Sequence, residues 1–459
     1  MTEPEENRED QPVAETPGQP DQKAQIETVS KAISDAREQL EKNIERARII
    51  AVLEAQPLPV PAIVRVRVRN FKSIEGCDVE LRPLTLLVGH NGAGKSNFVD
   101  VLHFTADALR MSLGHAIRER GGISEVRRRS RGHPTHFGIR LDLNLGVDWT
   151  AWYGFEIAAK KGESFIVQHE ECQIIYRSAL HTHFTVTKGV LKSSSDATQL
   201  PSEIEPDRLM LSLASALPVF RRVYQMLSSL GFYNLNLDQI RELQNSDPGD
   251  LLLRDGRNLG AVIRRLQERQ RGTANRIGEY LQAAVPGVKS VAARTIGPKE
   301  TIEFRQEVAG DENPWRYLAA NVSDGTLRTL GVLVAVFQVG PRAGIALVAI
   351  EEPEIAIHPG AATRLMDALL EASRTRQLLI TTHSPDLLDH PEIDIDSVLV
   401  VEAHAGKSVI APVDPSMLRA VREHLYTVGE LLRLEHVFPD LSFAHERQAQ
   451  LRLFGWDKE

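Results

Sequence analysis

The sequence predicts an α/β fold: a central, mostly parallel sheet joined to an antiparallel β subdomain and a helical lobe. Three observations carry that expectation. The short apolar runs in "LTLLVG" (84–89), "GIALVAIEE" (344–352) and "RQLLITTH" (376–383) each stop abruptly in glycine or polar residues, as buried parallel strands do. Residues 137–190 alternate apolar and polar in "FGIRLDLNL", "AWYGFEIAA", "SFIVQHEECQIIY" and "HFTVTKG", the pattern of an antiparallel meander. From 205 to 285, apolar residues recur every third or fourth position, a helical period.

At 459 residues the chain exceeds one hydrophobic core, so two or three lobes are expected. Two cysteines, Cys77 and Cys172, cannot build a disulfide framework or a four-thiolate metal site, and read as buried thiols in a reducing cytoplasm. No apolar stretch approaches a membrane span, and the acidic N-terminus does not read as a secretory leader. The net charge is -8, of which residues 1–22, with seven acids and one arginine, supply -6. A body so near neutrality does not exclude nucleic acid as a partner.

Residues 1–22 hold almost nothing to bury and are expected to be disordered. From 23 to 56, Ile26, Val29, Ile33, Ala36, Leu40, Asn43, Ala47 and Ile50 follow alternating spacings of three and four, a heptad-like helix. It could dock on its own domain or serve as a dimerising or partner-binding arm. Pro57, Pro59 and Pro61 end it. "IVRVRVRNF" then alternates as a half-exposed strand, and "VELRPLTLLVG" reads as a second strand leading into a glycine-rich loop.

That loop carries the first chemistry. Gly89, His90, Asn91, Gly92, Ala93, Gly94, Lys95, Ser96 and Asn97 fit Gly-x-x-x-x-Gly-Lys-Ser, between an apolar strand and a helical pattern with Phe98 and Leu102. Glycines let backbone N–H groups turn toward phosphate oxygens, and the helix start adds its positive dipole end. The lysine suits β- and γ-phosphates, and the serine hydroxyl suits Mg²⁺. The bare pattern arises by chance in roughly 1–2% of chains this long, and strand before with helix after makes chance a poor account. ATP with Mg²⁺ is the expected ligand pair.

Hydrolysis needs an acid, and "IALVAIEEPE" supplies two. Glu351 closes its strand where a carboxylate can join the metal shell, and Glu352 follows, placed to orient or deprotonate water. The run "LLITTHSPD" ends in His383, able to hydrogen-bond phosphate or the attacking water. Singly, these residues could be an acidic turn and a surface histidine; three strand ends in this order argue for one site. The order resembles ATPases of the ATP-binding-cassette type, in the branch containing RecF, SMC and OLD-family proteins. The resemblance rests on "VRNFKSIEGCDVELRPLTLLVGHNGAGKSNFVDVL", "NVSDGTLRTLGVLVAV", "ALVAIEEPEIAIHP" and "LITTHSPDLLD", over roughly residues 62–405.

The resemblance implies a P-loop NTPase with an ABC-ATPase-like head and a head-to-tail homodimer closed around ATP. Ser323, Asp324 and Gly325 of each copy would cap the nucleotide held by the other, with Arg328 one turn on. The chain departs from the family pattern in having Glu351 where aspartate is usual and Ser-Asp-Gly for Ser-Gly-Gly. Gln168 and Gln173 are candidates for the family's glutamine loop, and His358 for a contact with the opposite subunit.

The 226 positions between Ser96 and Ser323 hold no long heptad array, so a compact head is expected. The 76 residues after His383 leave room for one further hairpin rather than an appended nuclease, and 406–459 reads as a C-terminal extension. Arginines at 118, 120, 127, 128, 129 and 131, and a second group from Arg264 to Arg276, are candidates for sequence-independent DNA contact or for solvated loops and subunit contacts. Two roles are therefore expected: an ATPase acting on DNA in repair or genome maintenance, or an ATP-gated scaffold in phage defence that controls a separately encoded effector, a nuclease or toxin.

Overall fold

The computed structural model describes residues 22–129, 135–177, 180–195, 199–311, 313–338 and 344–454. The expected disordered tail, apart from Gln22, and Arg131 lie outside them. The chain divides into two units, Met1–Val52 and Leu53–Glu459. In the first unit the heptad-like segment is helical, as part of α1 (Gln22–Ala55), and Val29, Ile33 and Leu40 are exposed.

The second unit begins with β1 (Ile63–Phe71), β2 (Ile74–Glu80) and β3 (Leu84–Val88), followed by α2 (Lys95–Arg110), α3 (Leu113–Arg118) and α4 (Ile123–Val126). Next come β4 (His136–Gly146), β5 (Trp149–Ala159), β6 (Phe165–Tyr176), β7 (Leu180–Thr187) and β8 (Val190–Ser194). The helical region holds α5 (Met210–Ala214), α6 (Pro218–Ser228), β9 (Gly231–Tyr233), α7 (Leu237–Arg241), β10 (Gln244–Asn245), α8 (Leu259–Arg269) and α9 (Arg271–Ala284). Then follow β11 (Val288–Ile296), β12 (Lys299–Gln306), β13 (Trp315–Leu318), α10 (Asp324–Phe337), β14 (Leu347–Glu351), α11 (Pro359–Ser373), β15 (Gln377–Thr382) and α12 (Pro385–Leu388). The chain closes with β16 (Val398–His404), β17 (Lys407–Pro412), α13 (Pro415–Arg422), α14 (Val428–Arg433) and α15 (Leu441–Ala449).

The central sheet has the order β17-β16-β3-β15-β14-β9. Its strands are parallel except β17, which returns antiparallel to β16. Strands β3 and β15 are buried along their whole length, which is why each reads as an unbroken apolar run. Helices α10 and α11 cover this sheet with Leu327, Leu330, Val334, Leu365 and Leu369. At 25 cal/mol per Å², each such leucine or valine contributes roughly 1.5–3 kcal/mol.

A seven-stranded antiparallel sheet, β2-β1-β4-β5-β6-β7-β8, forms the second layer. Helix α2 packs on it through Phe104, whose ring lies 5.7 Å from Phe71 and 5.6 Å from Phe137 in edge-on contacts. Buried Gln377 stitches the two sheets. Its carbonyl oxygen accepts from the Ala62 and Ile63 N–H groups at 3.0 and 2.9 Å, and its amide donates to the Ile63 carbonyl at 2.7 Å.

Four departures from the sequence reading have physical causes. "VELRPLTLLV" is two strands rather than one: the Leu81-Arg82-Pro83 break sends β2 and β3 to different sheets, since proline cannot donate to a ladder. The helical region carries a strand, β9, too short for a period to show. A further antiparallel sheet, β10-β12-β11 with β13 on β12, follows it. After 405 the expected hairpin adds β17 to the central sheet, but the chain then returns to the meander, where Leu453 and Phe454 are buried. Phe454 meets the His169 ring at 4.3 Å.

Candidate functional site

The loop between β3 and α2 is shaped by close neighbours on both sides. A Cβ on Gly89 would collide with the Val401 carbonyl of β16. Gly94 caps α2 at φ 110°, a conformation other residues rarely adopt, and its Cβ would collide with the Ser408 hydroxyl. Ser408 donates to the Ala93 carbonyl at 2.7 Å and lies 2.6 Å from the Ser73 hydroxyl, which accepts from the Asn97 amide at 2.7 Å. Asn97 therefore braces the loop from behind. His90, Asn91 and Gly92 form its exposed crest.

Lys95 is buried, its ammonium donating to the Gly89 and His90 carbonyls at 2.7 and 3.2 Å. Burial pulls its pKa below the usual lysine value, opposed by the charges of Glu352, Glu354 and Glu351. Across the sheet the Ser96 hydroxyl donates to Glu351 Oε2 at 2.5 Å. The pair has the hard-oxygen chemistry that suits Mg²⁺. Among the described residues no group of three or more His, Cys, Asp or Glu could hold a metal. A magnesium ion on Ser96 and Glu351 would therefore take its other ligands from phosphate and water, its usual habit.

β14 and β15 pair so that Glu351 stands level with Thr381, and Val88 of β3 stands level with Thr382. Glu352 turns out of the sheet at φ 45°, its N–H shared by the Thr381 carbonyl at 3.0 Å and hydroxyl at 3.2 Å. The Glu352 carboxylate lies 3.5 Å from His383 Nδ1. A third acid, missed in the sequence, completes the group. Buried Glu354 accepts from the Thr382 hydroxyl at 2.6 Å and the His383 N–H at 3.2 Å, fixing the turn that presents His383. Its other carboxylate oxygen is buried without a partner. The signal was present in "EEPE", where Glu352 and Glu354 flank a proline.

Ser323 caps α10, accepting from the Thr326 N–H at 3.4 Å, and is exposed with Asp324. Asp324 pairs with Arg241. Gly325 passes so close to the Ala356 carbonyl that a Cβ would not fit, which ties the start of α10 to the turn after Glu354. Arg328, one turn on from Ser323, does not lie at the surface. It is buried, directed at the Leu235 carbonyl 3.5 Å away, because α10 is enclosed from Thr326 to Val336. His358 caps α11, its ring nitrogen accepting from the Gly360 N–H at 3.1 Å.

Gln168 and Gln173 lie on β6 in the antiparallel sheet, away from the strand ends that carry the acids, and Gln173 accepts from the Trp152 indole at 3.0 Å. The residue that does follow a strand beside Glu351 is Asn234, just past β9. The arginine cluster is largely spoken for. Arg120 is buried between Asp100 at 2.6 Å and Asp107 at 3.2 Å, Arg128 is buried against Glu75 at 3.1 Å, and Arg129 pairs with Glu125. In the second group, Arg264, Arg265 and Arg276 are also held by carboxylates.

With this geometry in hand, comparison with known proteins adds two family matches in chain order. Residues 62–172 match the "AAA ATPase domain" model, and residues 229–389 match the model described as "AAA domain, putative AbiEii toxin, Type IV TA system". No curated protein matches the sequence. Similar solved structures include an SMC head bound to the C-terminal winged-helix domain of ScpA, at 14% identity and TM-score 0.48 over 76% of this chain and 98% of that one. The SMC head domain from Thermotoga maritima aligns at 14% identity and TM-score 0.36, over 77% and 99% of the two chains. The Smc head of Pyrococcus furiosus, bound to the C-terminal domain of ScpA, aligns at 13% and 0.40, over 79% and 99%. Likeness this distant carries no argument about activity or partners.

Proposed function

We propose that this chain, a P-loop ATPase of the AAA type with an ABC-like head, binds Mg-ATP at the carboxyl ends of β3, β15 and β14 and hydrolyses it there. The observation that carries the reading is the 2.5 Å contact between Ser96 and Glu351, with Lys95 and Glu352 beside it. Ligands in parallel sheets sit at this edge. Lys95 would bind the β- and γ-phosphates, leaving the loop carbonyls it now holds. Magnesium, when bound, neutralises phosphate charge. Glu352 would take the proton of the attacking water, and His383, held by Glu354, would hydrogen-bond water or phosphate.

ATP would also join two copies. The exposed start of α10, at Ser323 and Asp324, offers backbone N–H groups suited to the phosphates of a second subunit's nucleotide, and hydrolysis would release the pair. Sedimentation of Glu352→Gln tests this, with residues 1–56 deleted in parallel to remove any association through α1. Mg-ATP should produce a species of twice the mass, and adding Ser323→Arg should abolish it. A protein that stays monomeric in saturating Mg-ATP contradicts the dimer.

Two roles for the cycle remain in view. Action on DNA, in repair or genome maintenance, loses part of its support because Arg120 and Arg128 are buried in ion pairs. Control of a separate effector, as in phage defence, gains some from the toxin-system description of one matched family. DNA binding whose log–log salt slope is near zero would count against the first; no change in ATPase rate with the product of a neighbouring gene would count against the second.

A further inference from the structure

Residues 246–258, between β10 and α8, form no helix or strand, yet their backbone is fixed at many points. The side chain of buried Asn258 accepts from the Leu253 N–H at 2.8 Å and donates to the Leu251 carbonyl at 2.9 Å and to Asp247 at 3.0 Å. The Leu252 N–H donates at 2.7 Å to buried Gln338, whose amide in turn donates to the Tyr233 hydroxyl at 2.7 Å. The Arg254 carbonyl accepts from the Asn234 N–H at 3.0 Å, and the Asp255 carbonyl from the Asn236 N–H at 2.9 Å. Tyr233 of β9 pairs with Ile350 of β14, so Asn234, which holds the Arg254 carbonyl, leaves β9 at the end where Glu351 closes β14.

Of the two exposed arginines in this segment, Arg257 pairs with Asp255 at 3.4 Å, and the ordering presents Arg254. The Arg254 guanidinium reaches the His103 ring of α2, 3.5 Å away, and forms part of the wall of a cavity of about 160 Å³ shared with Ser96, Asn97 and Glu351. Lys72, in the same wall, is neutralised by Asp100 at 2.7 Å. Among the described residues no carboxylate pairs with Arg254. The loop's hydrogen bonds thus hold at the cavity wall an arginine whose contact is the His103 ring rather than a carboxylate, an arrangement that suits an anionic ligand. The cavity opens where Ser96 and Glu351 meet, at the phosphate end of the proposed nucleotide site.

We infer that Arg254 contacts the terminal phosphate of Mg-ATP and makes the site prefer triphosphate to diphosphate. The inference rests on the reading that Mg-ATP binds here. The planar guanidinium donates two N–H groups in parallel to phosphate oxygens, which an ammonium does not reproduce. ADP lacks the group it would hold.

The test is the affinity of the full chain for Mg-ADP and for the Mg-bound imido analogue of ATP, in wild type, Arg254→Ala, Arg254→Lys and Lys95→Ala. Arg254→Ala should weaken the analogue by ~10–100-fold, the scale of a lost charge-assisted bond, and leave ADP within about twofold of wild type. Arg254→Lys should recover part of the loss, and the unfolding midpoint without nucleotide should not move, because the side chain is exposed. Parallel losses for both nucleotides, or none for either, overturn the assignment. Loss of analogue binding in Lys95→Ala with full binding in Arg254→Ala overturns Arg254 alone. Unchanged binding in Lys95→Ala overturns the nucleotide site itself.

Discussion

Glu352 combines two properties that a pair of substitutions can separate. Its backbone is left-handed, at φ 45°, where a side chain costs about 1–2 kcal/mol. Its carboxylate lies 3.5 Å from His383 and is the base proposed for hydrolysis. Glu352→Gln keeps shape and backbone but cannot accept a proton. Loss of a general base slows turnover at least ~100-fold, equal to about 2.7 kcal/mol on the barrier. Glu352→Gly also removes the base, but relieves the left-handed strain. After subtracting about 0.5–1 kcal/mol for the freedom glycine gains in the unfolded chain, it should be roughly 0.5–1 kcal/mol more stable than wild type. Phosphate release under steady state reads the first effect and urea unfolding the second. Turnover of Glu352→Gln within a few-fold of wild type would remove Glu352 from the mechanism. A Glu352→Gly protein less stable than Glu352→Ala would refute the strain argument.

Two further expectations concern the scaffold. Arg120→Ala leaves Asp100 and Asp107 on α2 without their shared cation and should cost about 3–5 kcal/mol in urea unfolding, whereas exposed Arg129→Ala should stay within about 0.5 kcal/mol of wild type; equal effects would mean Arg120 is not the structural residue its burial indicates. Glu170 is wholly buried, and burial pushes its pKa from 4.5 up to about 7, against bonds from the Leu211 and Met210 N–H groups and the Tyr153 hydroxyl. The folded state therefore binds more protons than the unfolded chain between about pH 4.5 and 7, so Glu170 makes stability fall as pH rises through that window, by at most about 1.4 kcal/mol per pH unit. The fall should be smaller in Glu170→Gln, and an identical pH profile would contradict the assignment.

What was legible in the sequence follows from how local each signal is. The loop from Gly89 to Ser96 could be read because its chemistry needs particular residue types at fixed spacing, and the buried strands because burial on both faces leaves an unbroken apolar run. Strand β9 could not, since three residues have no period; it becomes a strand only by pairing with β14, more than a hundred positions later. Glu354 was hidden by its neighbours: two adjacent glutamates already satisfied the expected chemistry, and only the hydrogen bonds from Thr382 and His383 set the third apart. The arginines left two readings open for a related reason. Sequence shows a run of charge but not the Asp100, Asp107 and Glu75 that neutralise it from other elements. Arg254 carried no signal of its own, because its position depends on Asn258, Gln338 and Asn234 holding a loop without regular structure.

The central claim is that the strand ends around Lys95 hold Mg-ATP. Calorimetric titration of Mg-ATP into Glu352→Gln, with and without Lys95→Ala, tests it most directly, since slow hydrolysis keeps the ligand intact. The account predicts saturable binding of one nucleotide per chain that disappears with Lys95→Ala, and marked weakening when magnesium is chelated. Binding that survives Lys95→Ala at full affinity, or no binding by the Glu352→Gln protein at millimolar Mg-ATP, would contradict it.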